Sequence, residues 1–166
     1  MTVRDFTFGD ETSLQTVFHS AVHTIAAGDY TPAQLDAWAP DRPDMEQWTA
    51  RMRVIRPFVV EDDGRIVGYA DLQVSGYLDH FYVSGTRARR GVGRALMDRI
   101  HARAGELKLG RLFSDVSRTA QPFFERFGFR VLEHKTIIVG GISLPNARMT
   151  KDLLTADCRK DESWTP

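Results

Sequence analysis

The hydrophobic period of the chain changes at Pro57, and that change restricts its possible folds more than any other feature. Before it, apolar residues recur at helical spacing: Leu14, Val17, Phe18, Ala21, Val22 and Ile25 predict one amphipathic helix from Asp10 to Gly28. Thr31-Pro32 reads as an N-cap and first helical position, with Leu35 and Trp38 on one face before Pro40 and Pro43. Asp44 with Gln47 resembles a capping box for a helix carrying Met45, Trp48, Met52 and Ile55. In this half only Val3 to Phe8 alternates like a strand. After Pro57 the apolar residues come in short runs: Phe58 to Val60, Ile66 to Val74 across a Glu61–Arg65 turn, and Tyr77 to Val83. A loop from Ser84 to Arg90 then opens a helix with Val92, Leu96, Met97, Ile100 and Ala104. Leu112 to Val116 predicts another strand, Thr119 to Phe127 a short helix stopped by Gly128, and Phe129–Val139 with Ile142–Leu153 an antiparallel pair around Gly140-Gly141. The order predicts a single α/β domain over 1–154, of the α+β kind, followed by a polar tail, 155–166.

At 166 residues such a domain buries about 70% of the surface its unfolded chain exposes, so it needs no staples. The 22 basic and 22 acidic side chains cancel, leaving no overall field to draw the protein onto nucleic acid or an anionic membrane. Cys158 is the single cysteine, which excludes an intramolecular disulfide and agrees with a reducing, cytoplasmic setting. No apolar run approaches the ~20 residues a membrane helix requires.

Against that neutral background, Arg87, Arg89, Arg90 and Arg94 crowd the point where a strand gives way to a helix, together with Gly91 and Gly93. Glycines at a helix N-terminus let backbone N–H groups converge on an anion, and the helix dipole with the arginines adds attraction; phosphate is the natural guest. The alternative is a solvated arginine loop before an ordinary helix. Two rival phosphate motifs fail: Leu96 stands where a dinucleotide fingerprint needs its third glycine, and Gly-Lys followed by Ser or Thr occurs nowhere.

These residues resemble the GNAT superfamily of acetyl-CoA-dependent N-acetyltransferases. Arg90-Gly91-Val92-Gly93-Arg94-Ala95 satisfies its Gln/Arg-x-x-Gly-x-Gly/Ala signature, Tyr77 to Val83 is similar to the strand before it, and Phe123-Phe124-Glu125-Arg126-Phe127-Gly128-Phe129 resembles a second family element. The resemblance spans about 57–153, and the Tyr30-Thr31-Pro32 and Trp38/Trp48 helices before it resemble those of a bacterial subgroup. It implies a mixed, mainly antiparallel sheet of six to seven strands with helices on both faces, in which the strands ending at Val83 and Val116 splay apart. It further implies that the backbone of Phe81, Tyr82 and Val83 holds the acyl end of acetyl-CoA and that N–H groups from Arg89 to Arg94 take the pyrophosphate. Ser117, Ala120 and Phe123 would line the pantetheine arm. Two departures stand out. With Gly91 and Gly93 as the glycine pair, Ala88 falls on the Gln/Arg position, and Phe124 occupies the place of a general-acid tyrosine.

An amine attacks a thioester only when neutral, and deprotonating an alkylammonium of pKa ~10.4 costs about 4.6 kcal/mol at pH 7. Strand alternation puts Asp79 on one face with Tyr77, Phe81 and Val83, and His80 on the other, making Asp79 the candidate base; otherwise its carboxylate only bonds backbone or an arginine. Neutralising the leaving thiolate is worth only about 2 kcal/mol, so water, Tyr82 or Tyr77 could supply that proton. Trp38, Tyr77 and Asp79 are candidates for the acceptor pocket. His19 and His23 are one helical turn apart, but Ser20 stands where a zinc-protease helix carries Glu, so no metal is expected. The expected function is transfer of acetyl from acetyl-CoA to the primary amine of a small molecule by a monomer or homodimer without nucleic-acid or membrane partners. A protein lysine or N-terminus as acceptor, and a non-catalytic acyl-CoA sensor, are the alternatives.

Overall fold

In the computed structural model, which describes residues 1–153, the helical half is built largely where its caps fall. Thr31 accepts from the Gln34 backbone N–H while the Gln34 side chain accepts from Thr31 N–H, a complete capping box that starts α2, Pro32–Trp38. Asp44 accepts from the N–H groups of Glu46 and Gln47 and starts α3, Met45–Ile55, using only the forward half of the expected box. The helix expected over 10–28 changes geometry on the way: α1 covers Glu11–Ser20, a π-helical segment Ala21–Ile25, and a 3-10 turn Ala26–Gly28.

The strands form two four-stranded sheets. The first runs β1 (Thr2–Asp5), β2 (Phe58–Asp62), β3 (Arg65–Ala70) and β5 (Phe81–Val83), all antiparallel. The second runs β4 (Tyr77–Leu78), β6 (Arg111–Ser117), β8 (Ile142–Asp152) and β7 (Arg130–Val139), where only β4–β6 is parallel. α4 spans Val92–Glu106 and α5 Gln121–Arg126. Among the described residues the strands number eight rather than six to seven because the run Tyr77–Val83 breaks at Asp79-His80, and each half joins a different sheet.

Both faces of the first sheet are covered, as adjacent residues of β2 show. Val60 packs with Leu96, Met97 and Ile100 of α4, while Val59 packs with Leu14 and Val17 of α1 and Met52 of α3; all are buried. Each such aliphatic side chain contributes about 1.5–3 kcal/mol by leaving water. β3 stops at Ala70, so Val74, assigned to a strand by its apolar character, is exposed in the connection to β4. Among the described residues no helix is long and apolar enough to cross a membrane. The polar tail from 155, with Cys158, lies outside them.

Candidate active site

The break between β4 and β5 is held open by a residue that sequence reasoning missed. Asp71, fully buried just after β3, accepts from the backbone N–H of Asp79 (2.9 Å) and of His80 (2.6 Å), and its own N–H donates to the His80 carbonyl (3.1 Å). A carboxylate thus replaces the neighbouring strand these N–H groups would otherwise need. β4 pairs with β6 at Tyr77–Phe113 and Leu78–Ser114, and the Ser114 hydroxyl donates to the Leu78 carbonyl (2.8 Å). Beyond the break β5 leaves β6 and pairs with β3, opening a wedge between Phe81–Val83 and Asp115–Ser117.

Ser84 N–H bonds to the Val67 carbonyl and Asp71 N–H to the His80 carbonyl, so alternation makes Tyr82–Tyr69 a hydrogen-bonded pair. Phe81 and Val83, one residue to either side, turn their backbone N–H and C=O groups away from β3 toward the wedge. Phe123 closes the wedge, its ring 5.3 Å from that of Phe81 and 3.1 Å from where a Cβ on Gly93 would stand. Ser117 and Ala120 form the turn into α5, the Ser117 carbonyl accepting from Ala120 N–H at 3.0 Å. Phe124 is buried against Phe81 and Phe129.

At the start of α4 the first intrahelical bond runs from Ala95 N–H to the Gly91 carbonyl. The N–H groups of Val92, Gly93 and Arg94 precede it and have no partner within the helix. Gly91 holds φ +85°, and its missing Cβ would meet only Met1 Cε, at 3.9 Å, so the space before the helix is open. Arg89 and Arg90 are exposed and pair with no carboxylate among the described residues. Arg87 approaches Asp62 (3.8 Å) and Arg94 lies over the Phe127 ring. Val92 is buried, leaving only its backbone for a guest.

The broken strand also brings together residues that regular alternation would separate. Asp79 lines a cleft of about 270 Å³ with Tyr77 and Tyr82, facing Trp38 and Tyr30 from the α2 side and Ser117 and Asn146 from the second sheet. His80 is not sent to a remote face: its Nε2 lies 3.5 Å from Asp79 Oδ2, and its Nδ1 shares a hydrogen bond with the Tyr69 hydroxyl (3.0 Å). Arg51 of α3, on no sequence shortlist because it reads as one charge of a solvated helix face, donates through Nη2 to Asp79 Oδ2. The other carboxylate of the cleft, Asp115, is tied up by Arg148 at 2.6 and 2.8 Å and by Lys135 at 3.4 Å. Trp38 packs edge-on to Tyr30 and Tyr82, whereas Trp48 donates its indole N–H to the Glu11 carbonyl and packs against Phe18 and His80 beneath the site.

Burial sets the protonation states. It pushes the Tyr82 phenol far above its ordinary value and the Tyr77 phenol up to about 12, helped by the Asp79 charge, so both stay protonated. Burial pushes the Asp71 carboxyl up to about 6 and the His80 imidazole down to about 4. Folded Asp71 holds its proton more tightly than the unfolded chain does, so its contribution favours the fold as pH falls from 6 toward 4. Folded His80 holds its proton less tightly, so its contribution is lost as pH falls from 6.5 toward 4. Each effect amounts to about 3 kcal/mol, and they oppose one another in one window. Asp71→Asn keeps an acceptor for the two N–H groups but cannot titrate. The melting temperature of that variant is expected to fall more steeply than the wild type's between pH 6.5 and 4.5; parallel curves would mean Asp71 does not titrate there.

A mixed sheet system covered by helices, in which the second half of a split strand leaves β6 and opens a wedge beside a glycine-led helix N-terminus, is the architecture that the expected acyltransferase requires. Residues 26–153 match the family model described as acetyltransferase (GNAT) domain. The chain belongs to the GNAT acetyltransferase family and is an acyltransferase. It is 30% identical over 147 residues to the uncharacterised N-acetyltransferase YafP of Escherichia coli (strain K12), covering 89% of this chain and 93% of that protein. A crystal structure of a GCN5-related N-acetyltransferase from Rhodopseudomonas palustris superposes with a TM-score of 0.87 at 28% identity, over 92% of this chain and 95% of the other. PaiA N-acetyltransferase from Thermoplasma acidophilum, solved in complex with coenzyme A, shares the fold at 15% identity (TM-score 0.72, 92% and 98% covered).

Proposed function

We propose that the protein transfers the acetyl group of acetyl-CoA to the primary amine of a small molecule by direct attack on the thioester. The observation that carries this reading is the juxtaposition at the split strand: an open strand edge for the acyl end adjoins an aromatic cleft holding a carboxylate. A structural neighbour solved in complex with coenzyme A supports the cofactor part of this reading. The residues fit the cofactor. Phe81 and Val83 offer backbone groups to the pantetheine side of the wedge, and Val92, Gly93 and Arg94 offer N–H groups to the pyrophosphate. Arg89 and Arg90 supply charge to the same place, while Ala95 closes the turn behind it, its N–H being taken. Ser117, Ala120 and Phe123 form the opposite wall.

The acceptor enters past Trp38 and Tyr30, and about 270 Å³ suits an amine on a compact aliphatic or aromatic stem. Asp79 meets the incoming ammonium in competition with Arg51 and takes its proton directly or through water. A Val83 N–H is aimed at the oxygen where charge develops. Tyr82, its phenol raised by burial, keeps its proton and hydrogen-bonds to the leaving sulfur; as the C–S bond breaks, the second proton of the attacking nitrogen passes through water to the departing thiolate of pKa ~8.5. The test is free-thiol release from acetyl-CoA across a panel of primary amines, with a lysine peptide beside them. Small amines are expected to accelerate release and the peptide not to. Tight acetyl-CoA binding without release under any acceptor would overturn catalysis in favour of a sensor.

A further inference from the structure

Outside the cleft, the fold gathers three metal-ligand side chains that the sequence keeps apart. His19 lies in the last turn of α1 and His23 in the π-helical segment; their rings stack with centroids 4.2 Å apart and 22° between planes. Asp41, in the connection between α2 and α3, faces them, its Oδ1 2.8 Å from His19 Nε2. One ligand atom from each residue falls within 4.8 Å of the other two. We infer that His19, His23 and Asp41 form a binding site for a divalent transition-metal ion of the zinc type.

The donor set selects that class. Two imidazole nitrogens with one carboxylate oxygen suit zinc and its neighbours, whereas magnesium and calcium require mostly oxygen. Bonds of about 2.0–2.1 Å put donors of a tetrahedral site roughly 3.3 Å apart, so the widest separation in the cluster must close by up to about 1.5 Å, within reach of side-chain rotation. A second observation points the same way. The helix abandons α geometry between the two histidines, passing into a π turn before its 3-10 end, and π turns are frequent at functional sites. His23 is also held in place, its Nε2 bonding to the Ala39 carbonyl at 2.7 Å. Neither histidine lines the acceptor cleft, but Trp38, three residues before Asp41, does. An ion bridging α1 to the Asp41 loop therefore pins the wall that carries Trp38.

The absence of Glu at position 20 concerns a protease helix only. The third ligand here comes from a different segment, at position 41. Calorimetric titration of the untagged full chain with zinc chloride at pH 7.5 is expected to show one ion per chain with a Kd on the order of micromolar or tighter, and magnesium chloride no heat. His19→Ala and Asp41→Asn are each expected to weaken zinc binding roughly tenfold or more, while His134→Ala leaves it unchanged. Asp41 is an exposed surface residue, so its variant reports on ligation without threatening the fold. Absence of zinc binding by the wild type, or binding that survives both substitutions, would overturn the site. None of these readings depends on acetyl transfer, so the outcome is separate from that of the amine panel.

Discussion

Asp79→Asn is expected to lower turnover of the amine roughly 100-fold or more at pH 7 while acetyl-CoA affinity stays within about twofold, because the amide preserves shape but accepts no proton. The deficit should shrink as the pH approaches the acceptor's own pKa, where the amine deprotonates unaided. The Arg51 contact makes a sharper control possible. If Asp79 serves only to anchor Arg51, Arg51→Met should reproduce the loss. If the carboxylate receives the ammonium proton, Arg51→Met should retain turnover and lower the KM of a cationic acceptor, since the competing guanidinium is gone. Equal losses in the two variants, with parallel pH–rate profiles, would remove Asp79 from the chemistry and leave it a structural ion pair.

Gly91→Val is expected to weaken acetyl-CoA binding roughly 10- to 100-fold in a folded protein. Two causes act there and a second substitution separates them. At φ +85° a β-branched residue is strained whatever surrounds it, and the Cβ also projects into the open space before α4. Asparagine tolerates left-handed backbone better than valine, so Gly91→Asn removes most of the strain but not the obstruction. Continued weak binding in Gly91→Asn, measured by calorimetry, would assign the space to the pyrophosphate. Full recovery would make the glycine a backbone requirement only, and unchanged affinity in Gly91→Val would move the cofactor elsewhere. Gly93 differs in kind: its side-chain position is closed by the Phe123 ring, so its role in the fold is close packing of α4 against α5.

Much of the helical half was legible because its signals are local. Thr31-Pro32 and Asp44 cap helices through atoms within three residues of themselves, and the stripes of α1 and α3 reflect burial of one face. The π-helical segment was not legible, since Ala21, Val22 and Ile25 satisfy helical spacing about as well as they satisfy the wider turn. Asp71 left a readable trace, a carboxylate between Ala70 and Leu72 in an apolar run, and its significance lay in the two N–H groups it meets eight and nine residues later. Arg51 left none. A guanidinium on the polar face of α3 looks like any other, and only the packing of that helix over the split strand brings it to Asp79.

The sequence by itself determined the order of elements, the glycine and arginine cluster at the head of α4, and the family signature it carries, because each depends on neighbours within about a dozen residues. Tertiary structure alone decided that Tyr77–Val83 divides between two sheets, that Asp79 and His80 converge instead of facing apart, and that Asp41 joins His19 and His23. The physical reason is one of range. Strand alternation holds only while a strand keeps its partners, and at Asp79-His80 the partner is the buried carboxylate of Asp71, a bond that no periodicity in the chain encodes.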